Sequence, residues 1–532
     1  MPAASPPDTL EAALAAVFDS AEAKSVSWSY LPGGGRLFGA GEPADTLYLL
    51  RAGRLGVFKK EEGKETQFVG IIRPGEPVGE MALIAGTPHT STVVALRDSE
   101  VLALPRDAFF RAARKMPEVM TELARLMILR ARQGAHEVAD PTVLGFIGLS
   151  DAPVRPLVEA IAAETGRAGF SVKVVDSTAL KSAGEWFSAI EETHDYVFYV
   201  GEKSEASWSH LVARQVDRMY LVGRGGEAPP AGLPWDHDPL GEHRLVDLIL
   251  TWPAGRRPSG AKAWIDRVDP ARWFHLTDDD PAGAARISRV VTGTSVGVVL
   301  SGGGARAFAH IGAVRALRQA GVPMDFLAGA SMGSIIAATL GLGWDDDEID
   351  WRMRKAFVES SPLDDIAFPL LAMTAGRKVD ARLEEHFGDV QIEDMPNPYF
   401  CVSSNLTTGA YQVHRRGLLR QALRASISLP GVMPPVVLDG HVLVDGAVMK
   451  SFPADLMRAT HLDKTVGVDV TRARGVDPRV LSANKSWLKW LTSGDWRRGP
   501  PIVSILMRSA TITTAADLAE SRRATDLLVI PK

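Results

Sequence analysis

Two apolar runs between Val296 and Ser334 each break into glycine and re-emerge as a helical pattern. They are VGVVLSGGGARAFAHIGAVRALRQA, starting at Val296, and FLAGASMGSIIAATLGLG, starting at Phe326. A short continuous apolar run bounded by turn residues reads as a strand buried on both faces. A glycine turn leading straight into a helix returns the chain over that strand. Written twice in succession, the pattern commits this part of the chain to an α/β fold and puts its chemistry at the strand-to-helix turns.

The second turn sets Gly329, Ser331 and Gly333 in a GxSxG pattern. Small residues on either side hold a serine on a sharp, strained turn, with its hydroxyl standing free at a helix N-terminus. On its own the pattern is also met in plain tight turns. The first turn, Gly302, Gly303 and Gly304 followed by Arg306, brings backbone N–H groups and a positive helix end toward a ligand. That suits a developing oxyanion, and the alternative reading is a phosphate loop. A third element, HVLVDGAVMKSFPAD, puts Asp445 after an apolar strand and before Gly446 and Ala447. Burial would make this carboxylate basic enough to take a serine proton; otherwise it is an Asp capping its own turn. His310, His414 and His441 are read as packing or surface residues, with a histidine base as the alternative.

At 532 residues the chain exceeds one hydrophobic core, and we expect three domains. Hydrophobic residues at 46% and charged residues at 23% exclude a fibrous or largely disordered chain. A net charge of -5 offers no general attraction to nucleic acid or anionic membrane, so such a partner needs a local patch. Cys401 is the only cysteine, which rules out an internal disulfide and a cysteine-based metal cluster and fits a reducing cytoplasm. The first residues, MPAASPPDTLEAALAAVF, lack the basic start of a signal peptide. No apolar run reaches the roughly 18 residues of a spanning helix, so any membrane contact is expected to be peripheral.

Between Ser27 and Leu104 short alternating strands punctuated by glycine predict a small antiparallel barrel or jelly roll. Helices follow over PRDAFFRAARK and PEVMTELARLMILRARQ. From Thr142 the pattern becomes alternating strand and helix: VLGFIGL, a helix over Val154 to Arg167, SVKVVD, YVFYV and MYLVG. This predicts an open α/β sheet without a nucleotide fingerprint, Gly145 and Gly148 being ordinary strand-end glycines. TWPAGRRPSGAK reads as a loop.

In this order and at these separations, SGGGARAFAHIG, GASMGS and DGA resemble the oxyanion loop, nucleophile elbow and base motif of patatin-like phospholipases. Preceded by a cyclic-nucleotide-type barrel and an α/β region containing YVFYV and RQVDRMYLVG, they resemble the neuropathy target esterase group in particular. The implied fold is a three-layer patatin-like α/β hydrolase domain behind a β-roll and an open, Rossmann-like α/β domain. The expected boundaries are 20–138, 140–285 and 293–475, with 476–532 a C-terminal extension. The resemblance implies a Ser331–Asp445 dyad, an oxyanion hole shaped by Gly302, Gly303, Gly304 and Arg306, no metal and no cofactor. It also implies a phospholipid or lysophospholipid substrate, while the lone cysteine, the charge balance and the lack of a spanning run lead us to expect a cytoplasmic protein, peripheral at the inner face of the membrane, without a nucleic-acid partner. The alternatives are a broader carboxylesterase or thioesterase, or an inert cyclic-nucleotide-controlled regulator.

The chain departs from the family at several places. Lys450 and Ser451 stand where two asparagines are usual after DGA. No N-terminal anchor is expected, and the end at DLLVIPK is expected to be a shortened one. In GEMALIAGTPHTSTVVA, Gly79, Glu80 and Thr90 keep the spacing of a cyclic-nucleotide cassette, but His89 replaces the arginine that grips the phosphate. Loss of a charge-assisted contact of about 1.5 to 3 kcal/mol predicts a pocket weakened by one to two orders of magnitude. Finally, SWLKWLTSGDWRR gathers Trp487, Trp490 and Trp496 with Lys485, Lys489, Arg497 and Arg498. The patch suits a lipid interface, or alternatively a core helix with a solvated end.

Overall fold

The structure is a computed structural model that describes residues 25–59, 67–133, 142–182, 184–234, 245–361, 364–367, 372–461, 463–471 and 514–531. The chain divides into two compact units, one of residues 1–254 with 263–292, the other of 255–262 with 293–532.

The first unit holds two sheets. The N-terminal one is antiparallel and contains β1 (Ser27–Leu31), β2 (Arg36–Phe38), β3 (Thr46–Lys59), β4 (Gln67–Ile72), β5 (Pro77–Val78) and β6 (Thr92–Pro105). Its spine is the long β3–β6 pair, with β1 and β2 on β6 and β4 and β5 on β3. Alternating apolar side chains turn Leu50, Leu55, Val93 and Val101 into a common core with Phe38 and Val78. The helices Arg106–Lys115 and Pro117–Gln133 follow, closing a second cluster around Phe109, Leu104 and Leu123.

The second sheet consists of β7 (Val143–Gly148), β8 (Val172–Val175), β9 (Tyr196–Gly201), β10 (Arg218–Arg224), β11 (Val246–Trp252) and β12 (Arg272–Thr277). All its pairings are parallel, in the order β12-β11-β10-β7-β9-β8. Helices on both faces leave β7, β9 and β11 wholly buried, which is why these segments are unbroken apolar runs. Thr251 and Trp252, expected in a loop, complete β11, because the Trp252 ring is buried and its Nε1 donates to His275 Nδ1 at 3.0 Å. On the barrel side of this unit, Arg97 of β6 reaches Glu191 of the helix Gly184–Thr193 at 2.8 Å.

The second unit is built on an eight-stranded mixed sheet. Its strands are β13 (Val296–Leu300), β14 (Phe326–Ala330), β15 (Tyr399–Asn405), β16 (Ala410–His414), β17 (Val436–Leu438), β18 (His441–Val444), β19 (Lys464–Val468) and β20 (Leu527–Val529). The strands β15, β14, β13, β19 and β20 are parallel neighbours, with β20 at the edge. β18 joins antiparallel to the end of β15 through Ser404↔Val444 and Asn405↔Leu443. The core packs Val298, Leu300 and Leu327 from the strands against Ile335 and Ile336 of the helix Met332–Gly341 and Leu423 of the helix Leu419–Ser426. Parallel strands deliver their C-terminal ends to one edge, and there β13 and β14 turn into their glycine-bordered helices. Among the described residues, no helix is long and apolar enough to cross a membrane.

Candidate active site

Ser331 is the residue between β14 and the helix Met332–Gly341, with φ 51° and ψ −134°. A left-handed φ at a residue carrying a Cβ is strained and persists only where its surroundings over-determine it. Two glycines do so here. A Cβ on Gly329 would lie 2.5 Å from the Gly333 carbonyl carbon, and one on Gly333 would lie 2.4 Å from the Ser301 oxygen. Strand, turn and helix can approach this closely only with hydrogen at both positions, which is the steric content of GxSxG. Ser331 N–H donates to Ser426 Oγ at 3.0 Å, and Ser426 Oγ donates to Val402 O at 2.7 Å. Its hydroxyl stands at the positive end of the helix dipole.

Ser331 Oγ donates to Asp445 Oδ2 at 2.8 Å. Asp445 follows β18, and its other oxygen, Oδ1, accepts from Ala447 N–H at 2.8 Å. Its backbone is held too: Asp445 N–H donates to Ser428 O at 2.9 Å, and Asp445 O accepts from Ser404 Oγ at 2.9 Å. Gly446 must be glycine because a Cβ there would come within 2.3 Å of Val402 O on β15. The carboxyl is fully buried, and burial pushes its pKa from 3.8 up to about 7, against the opposing effect of the Ala447 and Ser331 hydrogen bonds. A hydroxyl donating to a carboxylate of this basicity can pass its proton along that bond near neutral pH.

The glycine loop lies against both groups. A Cβ on Gly302 would sit 3.3 Å from the Ser331 Cβ and 3.2 Å from the Ala447 Cβ. The four residues expected to shape an oxyanion hole divide, however. Gly302 N–H donates to Ser451 O at 2.9 Å and Arg306 N–H donates to Gly303 O at 3.2 Å, so these two amides hold the loop itself. The Arg306 side chain is exposed. Gly303 and Gly304 open the 3₁₀ turn Gly304–Ala307, where amides lack an acceptor within the helix. Gly304 has φ 56° and open space around it.

None of the three histidines is hydrogen-bonded to Ser331 or Asp445 among the described residues. His310 Nε2 lies 2.8 Å from Ser301 O and His414 Nε2 lies 2.7 Å from Ser403 Oγ. Burial pushes each of them down to about 4, which keeps both neutral. His441 lies on β18 with its Nδ1 buried and, among the described residues, without a hydrogen-bond partner. Ser404 and Ser426, which hold the base turn and the elbow, are not marked by anything in their local sequence, whereas Ser451, noted as a departure after DGA, holds the glycine loop through its carbonyl.

In the barrel, Gly79 takes φ 82° at the start of the helix Glu80–Ala85, and Glu80 is buried. His89 turns inward. Its ring stacks on Phe38 with centroids 3.7 Å apart and planes at 11°, its backbone N–H donates to Glu42 O at 2.9 Å, and burial lowers its pKa. Thr90 is exposed. The Trp487–Trp496 patch, with Lys485, Lys489, Arg497 and Arg498, lies outside the described residues.

Comparison with known proteins agrees with both ends of the chain. Residues 298–458 match the family described as patatin-like phospholipase, and residues 29–116 match the cyclic nucleotide-binding domain. An NTE family protein of Mycobacterium tuberculosis (strain CDC 1551 / Oshkosh) is 32% identical over 522 residues, covering 94% of this chain and 86% of that protein. Patatin-like phospholipase domain-containing protein 6 of Homo sapiens is 27% identical over 571 residues, 93% of this chain and 41% of its own length. Neuropathy target esterase sws of Drosophila melanogaster is 26% identical over 574 residues, 93% of this chain and 40% of its own length. Similar along nearly its whole length to the mycobacterial protein, and matching a cyclic nucleotide-binding domain ahead of a patatin-like phospholipase domain, this chain belongs to the NTE family.

Proposed function

We propose that this protein is a serine esterase that hydrolyses the acyl ester of a phospholipid or lysophospholipid through an acyl-enzyme on Ser331, with Asp445 as its general base. The observation that carries this reading is the 2.8 Å hydrogen bond from Ser331 Oγ to a buried carboxyl whose pKa is raised to about 7. In the ionised state Asp445 Oδ2 takes the hydroxyl proton as Oγ attacks the ester carbonyl carbon. The carbonyl oxygen becomes an oxyanion, met by the amides of Gly303 and Gly304. Collapse breaks the bond to the leaving alkoxide, which receives the proton from Asp445. Water then attacks the acyl-enzyme and gives its proton to Asp445. The second collapse releases the fatty acid and returns the proton to Ser331.

The family relationship supports a lipid or ester substrate, and the relatives' names specify an esterase and a phospholipase. Peripheral contact with the inner face of a membrane, and a barrel that has lost its cyclic nucleotide, belong to the same reading. Rates on lysophosphatidylcholine, a short-chain aryl ester and an acyl thioester test it, with Ser331→Ala as the blank. Preference for the lysolipid supports the proposal, whereas preference for the aryl ester or thioester would favour a broader carboxylesterase or thioesterase. kcat/KM should rise with pH through about 7 and level off once Asp445 is ionised.

A further inference from the structure

Lys450 lies five residues beyond Asp445, and its side chain is only 3% exposed. A buried ammonium is costly unless paired, and this one has two carboxylates: Asp455 Oδ2 at 2.7 Å and Asp517 Oδ1 at 2.5 Å. Asp455 opens the helix Ala454–Thr460, whereas Asp517 belongs to the helix Thr514–Arg523, far along the chain. The next residue, Ser451, is the one whose carbonyl accepts the Gly302 amide. The same distant helix grips the other flank of the glycine loop. Arg522 pairs with buried Asp469 at 2.5 Å, and the adjoining Val470 donates its N–H to Ser301 Oγ at 2.9 Å and packs against Gly303.

We propose that Lys450 is a positioning residue for the glycine loop. Clamped between Asp455 and Asp517, it fixes the turn after Asp445 so that the Ser451 carbonyl holds Gly302 and leaves Gly303 and Gly304 aimed at the reacting oxygen. The inference rests on the Ser331–Asp445 reading and adds to it a tie from the C-terminal helix to the loop that meets the oxyanion.

Lys450→Met in the full chain is the test, followed by kcat and KM on a soluble aryl ester and by the affinity of an alkyl trifluoromethyl ketone, which forms a tetrahedral oxyanion on the nucleophile. A loop displaced by about an ångström should lower kcat by roughly 10- to 100-fold, with KM little changed and inhibitor affinity falling in proportion. Arg458→Met is the control. It breaks the 2.8 Å pair with Asp526 that docks the same C-terminal segment, together with the bond to the Asp463 carbonyl, and should lower Tm while kcat stays within about twofold. Should Lys450→Met not fold, Asp517→Asn, which keeps the Asp455 pair, should show the same parallel loss on a smaller scale. The proposal is overturned if Lys450→Met or Asp517→Asn keeps wild-type kcat and inhibitor affinity, if kcat falls while inhibitor affinity does not, or if Arg458→Met loses as much kcat as Lys450→Met. Failure of the dyad itself would show differently, as full turnover by Asp445→Asn.

Discussion

Replacing Asp445 by Asn should separate activity from stability. Asparagine keeps the shape: its oxygen can accept the Ala447 N–H and its amide can donate to Ser331 Oγ, but it takes no proton. Turnover should therefore fall on the order of 10⁴-fold, as when a serine hydrolase loses its proton-accepting arrangement. Stability should move the other way, and pH sets by how much. The folded pKa of Asp445, about 7, lies above its ordinary 3.8. A carboxyl whose folded pKa is raised leaves the native state holding more protons than the unfolded one between those values. The wild type thus loses stability as pH rises from about 4 through 7, and above 7 it bears the full cost of a buried charge. Those three or so pKa units at about 1.4 kcal/mol each set an upper figure of about 4 kcal/mol. Asparagine carries no such dependence. Thermal unfolding of both proteins from pH 4 to pH 9 should give coincident curves at the acid end and a more stable variant at the alkaline end. A variant that is less stable than the wild type at pH 9, or one that still turns over, would refute the argument that Asp445 is a buried base.

Three further outcomes follow from the geometry. His310→Ala, His414→Ala and His441→Ala, if folded by circular dichroism, should each keep substantial activity, while Ser331→Ala and Asp445→Asn should fail to add in the double variant. Loss of turnover in one histidine variant alone, to the level of Ser331→Ala, would bring back a histidine base. Gly333→Ala puts a methyl group 2.4 Å from the Ser301 oxygen and should destabilise the elbow by several kcal/mol, seen as a large drop in Tm and in fluorophosphonate labelling; wild-type labelling would contradict the steric reading of the turn. In the barrel, calorimetry should find weak or no binding of cyclic nucleotides by the wild type and a gain of about one to two orders of magnitude in His89→Arg; tight wild-type binding would show that the inward His89 does not impair the pocket.

What the sequence determined by itself is what a few neighbouring residues decide among themselves. The helix Val154–Arg167 was legible at its observed limits because apolar periodicity marks it. The turn at Ser331 was legible because the two glycines that permit it flank it. A fully buried strand such as β11 was harder. Without alternation, and with Pro253 directly after it, Thr251 and Trp252 read as loop, and only the fold supplies the His275 partner that makes Trp252 the end of a strand. Tertiary structure alone decided the rest. Ser331 and Asp445 are brought together because β14 lies parallel to β15 and β18 meets the end of β15 at Ser404, and no local pattern encodes that register. The same pairing buries Asp445 and so makes it basic. The Gly302 amide meets the Ser451 carbonyl, and docking of a distant helix adds Asp517 to the nearby Asp455 as a partner for Lys450. Such contacts depend on which segments meet across the sheet, which local residue patterns do not specify; the Ser331–Asp445 pair is expected from the sequence only through the family resemblance.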